Sequence, residues 1–374
     1  MFSSKQYIFA MRTREISGCG QVGFINRNGT LVKGDAIVRS VCNMKERGNG
    51  LGAGYAVYGV YPELKEFFAL HVMLDTREIK SDVDDVINKF FVVTREEEIP
   101  IKPIPSIKEH PYFIRYFVEV RGGTSQPGES DEDIVVRAVM TINEKVNGAY
   151  VVSSGRNMAV FKGVGEPDDI AEFFQVKYYE GYSWIAHTRF PTNTPGWWGG
   201  AHPFTILDWS IVHNGEISSY GTNRNFLEMF GYKCTLLTDT EVVAYALDFL
   251  LRKQRLPLNY ALNVLSPPFW KDIDESGNEQ AEILRSLRTC YAPLTLNGPF
   301  AFIFGFSGGI VGFNDRIKLR PLFAAEKGET IYIASEEAAI RAISSDDKSK
   351  FDRLWMPRAG EPVVGLLNNT FGKF

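Results

Sequence analysis

The most informative segment of this chain is HTRFPTNTPGWWGGAHPF, from His187 to Phe204. Two shorter motifs follow it, HNGEISS from His213 to Ser219 and TDTE from Thr238 to Glu241, and Cys19-Gly20 precedes it. The three motifs and the cysteine therefore place a thiol, a guanidinium, an amide and a carboxylate in a fixed order along one chain.

Each of these groups has a simple structural explanation when it is taken alone. A cysteine at the start of a strand is more often a small buried hydrophobe than a nucleophile. Asn214-Gly215 is typical of a turn between two strands, Arg189 could be a surface ion pair, and Asp239 could be a charge in the first turn of a helix. Only the combination indicates a reaction site.

Together the motifs resemble those of class II (N-terminal nucleophile) glutamine amidotransferases. The likeness is greatest to the amidotransferase part of glutamate synthase, in the RFPTNT-type segment, the tryptophan after it, the HP pair and HNGEI. It covers nearly the whole chain from Cys19. The fold that it implies is α+β, a four-layer αββα N-terminal nucleophile hydrolase sandwich, with two mixed sheets between two helical layers.

The resemblance also implies a processed nucleophile. In the family the cysteine becomes the first residue of the mature chain, so residues 1–18 would be a propeptide and residues 19–374 the amidotransferase domain. The free α-amine would then accept the proton of its own thiol, and the two groups titrate at about 8 and 8.5. An internal Cys19 would have only an amide nitrogen.

The same resemblance assigns the other site residues. The Asn214 side chain and the Gly215 backbone N–H would bind the oxyanion. Arg189 would hold the α-carboxylate of glutamine through its planar fork, and Asp239 would accept from the α-ammonium. Thr192 and His202 would shape the carboxylate-binding loop in a supporting role.

The composition excludes several other classes of function. Lysine plus arginine (41) nearly balance aspartate plus glutamate (45), which indicates neither a nucleic-acid footprint nor a polybasic membrane patch. The four cysteines form no CxxC pair, so we expect no zinc site or disulfide framework and a cytoplasmic location. The most apolar stretch, Phe300 to Phe313, is shorter than the roughly 20 residues of a membrane span.

Periodicity predicts the order of the elements. We expect buried packing for Cys42, Cys234 and Cys290. A capping box from Ser81 to Asp84 is expected to start one helix, and Thr238 with Glu241 to start another. Further strands are predicted at 19–27, 68–74, 112–121, 300–306, 309–314 and 330–335, with short strands around 149–155 and 158–164, and further helices are predicted at 34–47 and 132–145.

The implied reaction is hydrolysis of L-glutamine to L-glutamate and ammonia through a thioester on Cys19, with no metal or organic cofactor in this chain. Too few residues follow the motifs for an acceptor domain. The expected partner is a separate glutamate synthase subunit with FMN and an iron–sulfur cluster, which aminates 2-oxoglutarate. The oligomeric state is left open.

Two alternative functions stay open. One is a catalytically silent regulatory or scaffolding homologue, and the other is a hydrolase of another amide.

Overall fold

The computed structural model describes residues 18–191, 194–343 and 350–368. The strands of this part of the chain are β1 (Gly20–Asn26), β2 (Val32–Lys33), β3 (Ala53–Tyr58), β4 (Phe68–Leu74), β5 (Phe91–Glu98), β6 (Tyr112–Val120), β7 (Ala149–Ser153), β8 (Met158–Gly163), β9 (Glu180–Gly181), β10 (Ser183–Thr188), β11 (Phe204–Ile206), β12 (Trp209–Gly215), β13 (Phe300–Phe306), β14 (Gly309–Asn314), β15 (Phe323–Lys327), β16 (Thr330–Ala334), β17 (Arg353–Trp355) and β18 (Val363–Leu366).

The helices of the same part of the chain lie mostly between strands. They are α1 (Asp35–Cys42), α2 (Lys80–Phe90), α3 (Asp131–Lys145), α4 (Pro167–Phe173), α5 (Tyr220–Glu228), α6 (Asp239–Leu247), α7 (Leu258–Leu265), α8 (Trp270–Glu275), α9 (Asn278–Cys290) and α10 (Glu337–Ile343).

Two sheets form the centre of the molecule. One has the strand order β17-β15-β16-β1-β10-β3-β8, and the other has the order β11-β12-β13-β14-β18. Their inner faces meet across a layer of buried aliphatic side chains that includes Ile25, Ile185 and Ile303. Gly23 permits this close approach, because a Cβ atom there would lie 2.7 Å from the side chain of Ile310.

Helices cover the two outer faces. Successive residues of a strand point to opposite sides of a sheet, so Val22 and Phe24 face away from the partner sheet. They pack with α1, α4 and α10 in a second core cluster. The helix α6 covers the other sheet, where Val242 and Val243 pack with Phe302. The layers run helix, sheet, sheet, helix, which confirms the predicted αββα architecture.

A smaller antiparallel sheet, β5-β6-β4-β7, lies beside the sandwich and carries α2 and α3. Its outer strand β5 has the sequence FVVTREEE, and most of its residues are exposed. This strand was not predicted, because its second half, residues 95–98, is a run of charged residues without the apolar and polar alternation that is typical of a strand. It forms by pairing with β6, from Phe91 to Glu98.

Most predicted elements are confirmed, and three details are wrong. Among the described residues every strand pairing in the two central sheets is antiparallel, so these sheets are not mixed as expected. Ser81 does not cap α2: its hydroxyl donates to the Glu78 carbonyl at 3.2 Å, because a 3₁₀ turn at Arg77–Ile79 runs directly into the helix. Cys234 is buried as expected and Cys42 is half-buried, but Cys290 is exposed. No described helix is long and apolar enough to cross a membrane.

Candidate active site

Four chain segments end at one place between the two central sheets. Antiparallel pairing of β1 with β10 matches Gly20 to Thr188, so Cys19 and Arg189 emerge side by side. In the facing sheet β12 ends at Gly215, and α6 begins at Asp239 with the Thr238 hydroxyl accepting from the Glu241 N–H. They line a cavity of about 260 Å³. The sandwich thus brings together residues far apart in sequence.

Cys19 is half-buried at the edge of this cavity. The backbone N–H of Phe190 donates to its Sγ at 3.2 Å. Burial raises the pKa of the thiol, whereas the Phe190 N–H and the Arg189 charge act in the opposite direction. The raised pKa means that the thiol needs a nearby base in order to react at neutral pH.

Arg189 is 4% exposed, so it is not the surface ion pair considered from sequence. Its guanidinium donates to the Thr194 hydroxyl and to the Pro195 carbonyl. Within the described ranges no carboxylate lies within ion-pair distance of it. Burial lowers its pKa, and Asp239 and Cys19 partly offset that effect. A guanidinium in this state can bind an anion that enters the cavity.

Asp239 is held by a small polar network. Its Oδ2 accepts from the Ile217 N–H at 2.9 Å and lies 3.8 Å from Nδ1 of His213. The Thr240 hydroxyl donates to its Oδ1 at 3.3 Å. Burial raises the pKa of the carboxyl, but His213, the Ile217 N–H and Thr240 together lower it. Asp239 therefore remains an anion at neutral pH.

The Thr240 hydroxyl also fixes two histidine rings. It lies 2.9 Å from Nε2 of His202 and 3.1 Å from Nδ1 of His213. A hydroxyl has one proton, and Thr240 donates it to the Asp239 carboxylate, which can only accept. Both histidine rings must therefore donate their N–H groups to the Thr240 oxygen. Burial lowers the pKa of His202 well below its usual value, so this ring is neutral. His202 therefore supports Asp239 through Thr240.

Asn214 and Gly215 form the end of β12 and not the hairpin turn considered from sequence. The Asn214 side chain is 1% exposed, and its Nδ2 has no partner among the described residues. Gly215 has φ of +148°, and a Cβ atom there would lie 2.0 Å from the Pro299 carbonyl oxygen. A buried donor without a partner is rare and indicates a missing ligand or water.

The structure brings five of the seven predicted residues to the cavity or its wall: Cys19, Arg189, His202, Gly215 and Asp239 line it. Asn214 lies beside Gly215 on β12, and Thr192 lies outside the described residues. Phe190, His213 and Thr240 were missed as contributors, although each adjoins a predicted residue in a motif. In the described part of the chain no cluster of His, Cys, Asp and Glu is arranged to hold a metal ion.

The family model of the class-II glutamine amidotransferases matches residues 78–355, which is well over half of the chain. The chain belongs to this family. The matched region includes Arg189, Asn214, Gly215 and Asp239, while Cys19 lies before it.

Two relatives of this amidotransferase extend over nearly its whole length. An uncharacterized protein of Archaeoglobus fulgidus is 50% identical over 359 residues, which cover 95% of this chain and 94% of the relative. A protein of Methanothermobacter thermautotrophicus, provisionally named a glutamine amidotransferase, is 26% identical over 332 residues. These residues cover 87% of this chain and 93% of the relative.

Among solved structures, the amidotransferase is similar to the glutamine phosphoribosylpyrophosphate amidotransferase of B. subtilis. The TM-score is 0.45 with 14% sequence identity, over 92% of this chain. The chain spans about half of that protein, 47% of its length.

Proposed function

We propose that this chain hydrolyses L-glutamine to L-glutamate and ammonia, with Cys19 as the nucleophile. The observation that carries the proposal is the shared cavity, which has a thiol, a guanidinium and a carboxylate on its wall. Free glutamine has an amide, an α-carboxylate and an α-ammonium. The three groups of the cavity match the three groups of this substrate.

The recognition of the substrate rests on Arg189 and Asp239. Arg189 offers a planar pair of N–H donors to the α-carboxylate, and Asp239, held in its ionised form, accepts from the α-ammonium. A hydrolase that acts on a peptide or an acylated amine has no need for both charges. The pair therefore favours free glutamine over the other amides that were considered from sequence.

The reaction begins with attack of Sγ on the side-chain carbonyl carbon of glutamine. The Asn214 amide and the Gly215 N–H stabilise the oxyanion that forms, and removing one such donor costs roughly 3 to 4 kcal/mol. The thiol proton passes through a base to the departing nitrogen, which leaves as ammonia. Water then cleaves the γ-glutamyl thioester to release glutamate and restore the thiol.

The base in this scheme is the α-amine of Cys19, released by cleavage of the Gly18–Cys19 bond. With that bond intact the Cys19 nitrogen is an amide and cannot accept the proton. We therefore propose that residues 1–18 are a propeptide, that residues 19–374 are the mature domain, and that the uncut chain is an inactive precursor.

The ammonia is proposed to pass to a separate polypeptide. By resemblance to glutamate synthase, the partner would carry FMN and an iron–sulfur cluster and aminate 2-oxoglutarate, which would give the pair a role in nitrogen assimilation. The support is the likeness of the motifs from Arg189 to Ile217. Co-purification of the chain from its native source, with an assay for glutamate formed from 2-oxoglutarate, would test the partner.

Intact-mass spectrometry tests the glutaminase directly. The protein is measured before and after exposure to an electrophilic glutamine analogue, beside an assay of ammonia release. A chain that starts at Cys19, takes one label there and releases ammonia supports the proposal. An unlabelled chain that still starts at or near Met1 supports the silent homologue, and turnover of a different amide in a substrate panel supports the other alternative.

A further inference from the structure

Lys162 is a buried cation outside the motifs. It lies on β8 and is 3% exposed. Its Nζ donates to the Gly199 carbonyl at 3.0 Å and to the Pro203 carbonyl at 3.2 Å, and it lies 4.4 Å from the centre of the Phe204 ring. A buried ammonium that holds two backbone carbonyls fixes the path of the chain between them.

The segment that Lys162 holds packs against Arg189. Gly200 is so close to the guanidinium that a Cβ atom there would lie 3.2 Å from Nη1. The turn is closed by the Gly200 N–H, which donates to the Trp197 carbonyl at 3.1 Å. On the other side, the ring of Trp198 packs directly against Gly163. A Cβ atom added to Gly163 would lie 2.2 Å from this ring. The turn is therefore clamped between β8 and Arg189.

We infer that Lys162 is a positioning residue for glutamine binding, which holds the Trp197–Pro203 turn against Arg189 so that the guanidinium presents its fork to the α-carboxylate. The inference rests on the proposed glutaminase function. Lys162 itself does not line the cavity, so its effect must pass through Arg189 and the turn.

The charges around Lys162 add a second effect. Burial lowers its pKa to about 7; Glu241 on α6 raises it, and Arg189 lowers it. The neutral His202 ring also faces it. As the ammonium loses its proton above pH 7, its hydrogen bonds to the Gly199 and Pro203 carbonyls weaken, and the turn holds Arg189 less firmly. Glutamine should therefore bind less tightly as the pH rises through this range.

The first test is the kinetics of Lys162→Met, which keeps the length of the side chain but removes its charge and its donors. KM for glutamine should rise about tenfold while kcat changes less than about threefold, because the α-carboxylate is bound equally in the ground state and the transition state, and both lose the same binding free energy. Lys102→Met is the matched control, since Lys102 is an exposed lysine paired with Glu172, and it should leave both constants unchanged.

A double-mutant cycle with Arg189→Lys tests the path of the effect. If Lys162 acts through Arg189, the double variant should lose little more than Arg189→Lys alone, whereas independent effects would multiply. In the wild-type protein KM should rise between pH 6 and 8.5, and in Lys162→Met this rise should be clearly smaller. Glu241 titrates near 7 as well, so the comparison between the two proteins isolates Lys162.

Three outcomes would overturn the inference. They are a fall in kcat as large as the rise in KM, effects that multiply in the double-mutant cycle, and a pH profile of KM in Lys162→Met that equals that of the wild type. If Lys162→Met does not fold, as judged by thermal unfolding, Lys162→Gln retains one donor and takes its place in the same cycle. An inactive wild-type protein would instead count against the proposed function, so the two failures can be told apart.

Discussion

The backbone N–H of Phe190 points at Sγ of Cys19 at a distance of 3.2 Å. Phe190 directly follows Arg189, so the segment that supplies the guanidinium also donates to the thiol. A displacement of this segment would disturb substrate binding and the nucleophile together.

Replacement of Cys19 by alanine should abolish ammonia release and leave the fold intact, because the side chain is half-buried and small. Glutamine hydrolysis and circular dichroism measure the two properties. Cys290→Ala is the control, since Cys290 is exposed and does not line the cavity. Full activity in Cys19→Ala would refute the mechanism.

Arg189→Lys should mainly weaken glutamine binding. Lysine keeps the charge but loses the planar fork that binds a carboxylate through two bonds, so we expect KM to rise about tenfold or more with a smaller change in kcat. Steady-state kinetics measure both constants. A fall in kcat at constant KM would place Arg189 in the chemical step instead.

Asn214→Ala should act on the chemical step. Removal of an oxyanion donor lowers kcat by about 10² to 10³ and leaves KM nearly unchanged. The variant should also be at least as stable as the wild type, because the Asn214 Nδ2 donor is buried without a partner among the described residues. A large rise in KM with normal kcat would contradict the oxyanion role.

Gly215→Ala should destabilise the protein by at least about 3 kcal/mol, because the added methyl group would lie 2.0 Å from the Pro299 carbonyl oxygen. Gly221→Ala is the matched control, since a Cβ atom there meets nothing within 4 Å. Its free energy of unfolding should stay the same or rise by up to about 1 kcal/mol. Urea unfolding of the two variants makes the comparison.

His71 should make the protein sensitive to acid. Burial lowers its pKa to about 3, below the value of about 6.5 in the unfolded chain. The unfolded state therefore binds more protons between these values, and the free energy of unfolding falls as the pH drops from 6.5 towards 3. His71→Gln should reduce this slope by about 1.4 kcal/mol per pH unit. An unchanged slope would mean that His71 is protonated in the folded state.

The sequence predicted most elements whose side chains follow a regular period. β1, β4 and β13 alternate or are continuously apolar, and α3 buries one apolar face that includes Ile134, Ala138 and Ile142. It missed β5, because the charged run at 95–98 breaks the pattern of the strand, which is stabilised at the edge of the sheet by pairing with β6. It located the start of α2 to within one residue but gave Ser81 a capping role that it does not have, because a 3₁₀ turn runs directly into that helix.

The chemical groups of the site and their order along the chain could be read from the sequence: the Cys19 thiol, the Arg189 guanidinium, the Asn214 amide and the Asp239 carboxylate. Tertiary structure decided which of their neighbours matter. The Thr240 hydroxyl joins two histidine rings to Asp239, and the Lys162 ammonium holds a turn against Arg189. These contacts join residues that are distant in the chain, so they depend on how the two sheets and α6 pack and leave no local pattern.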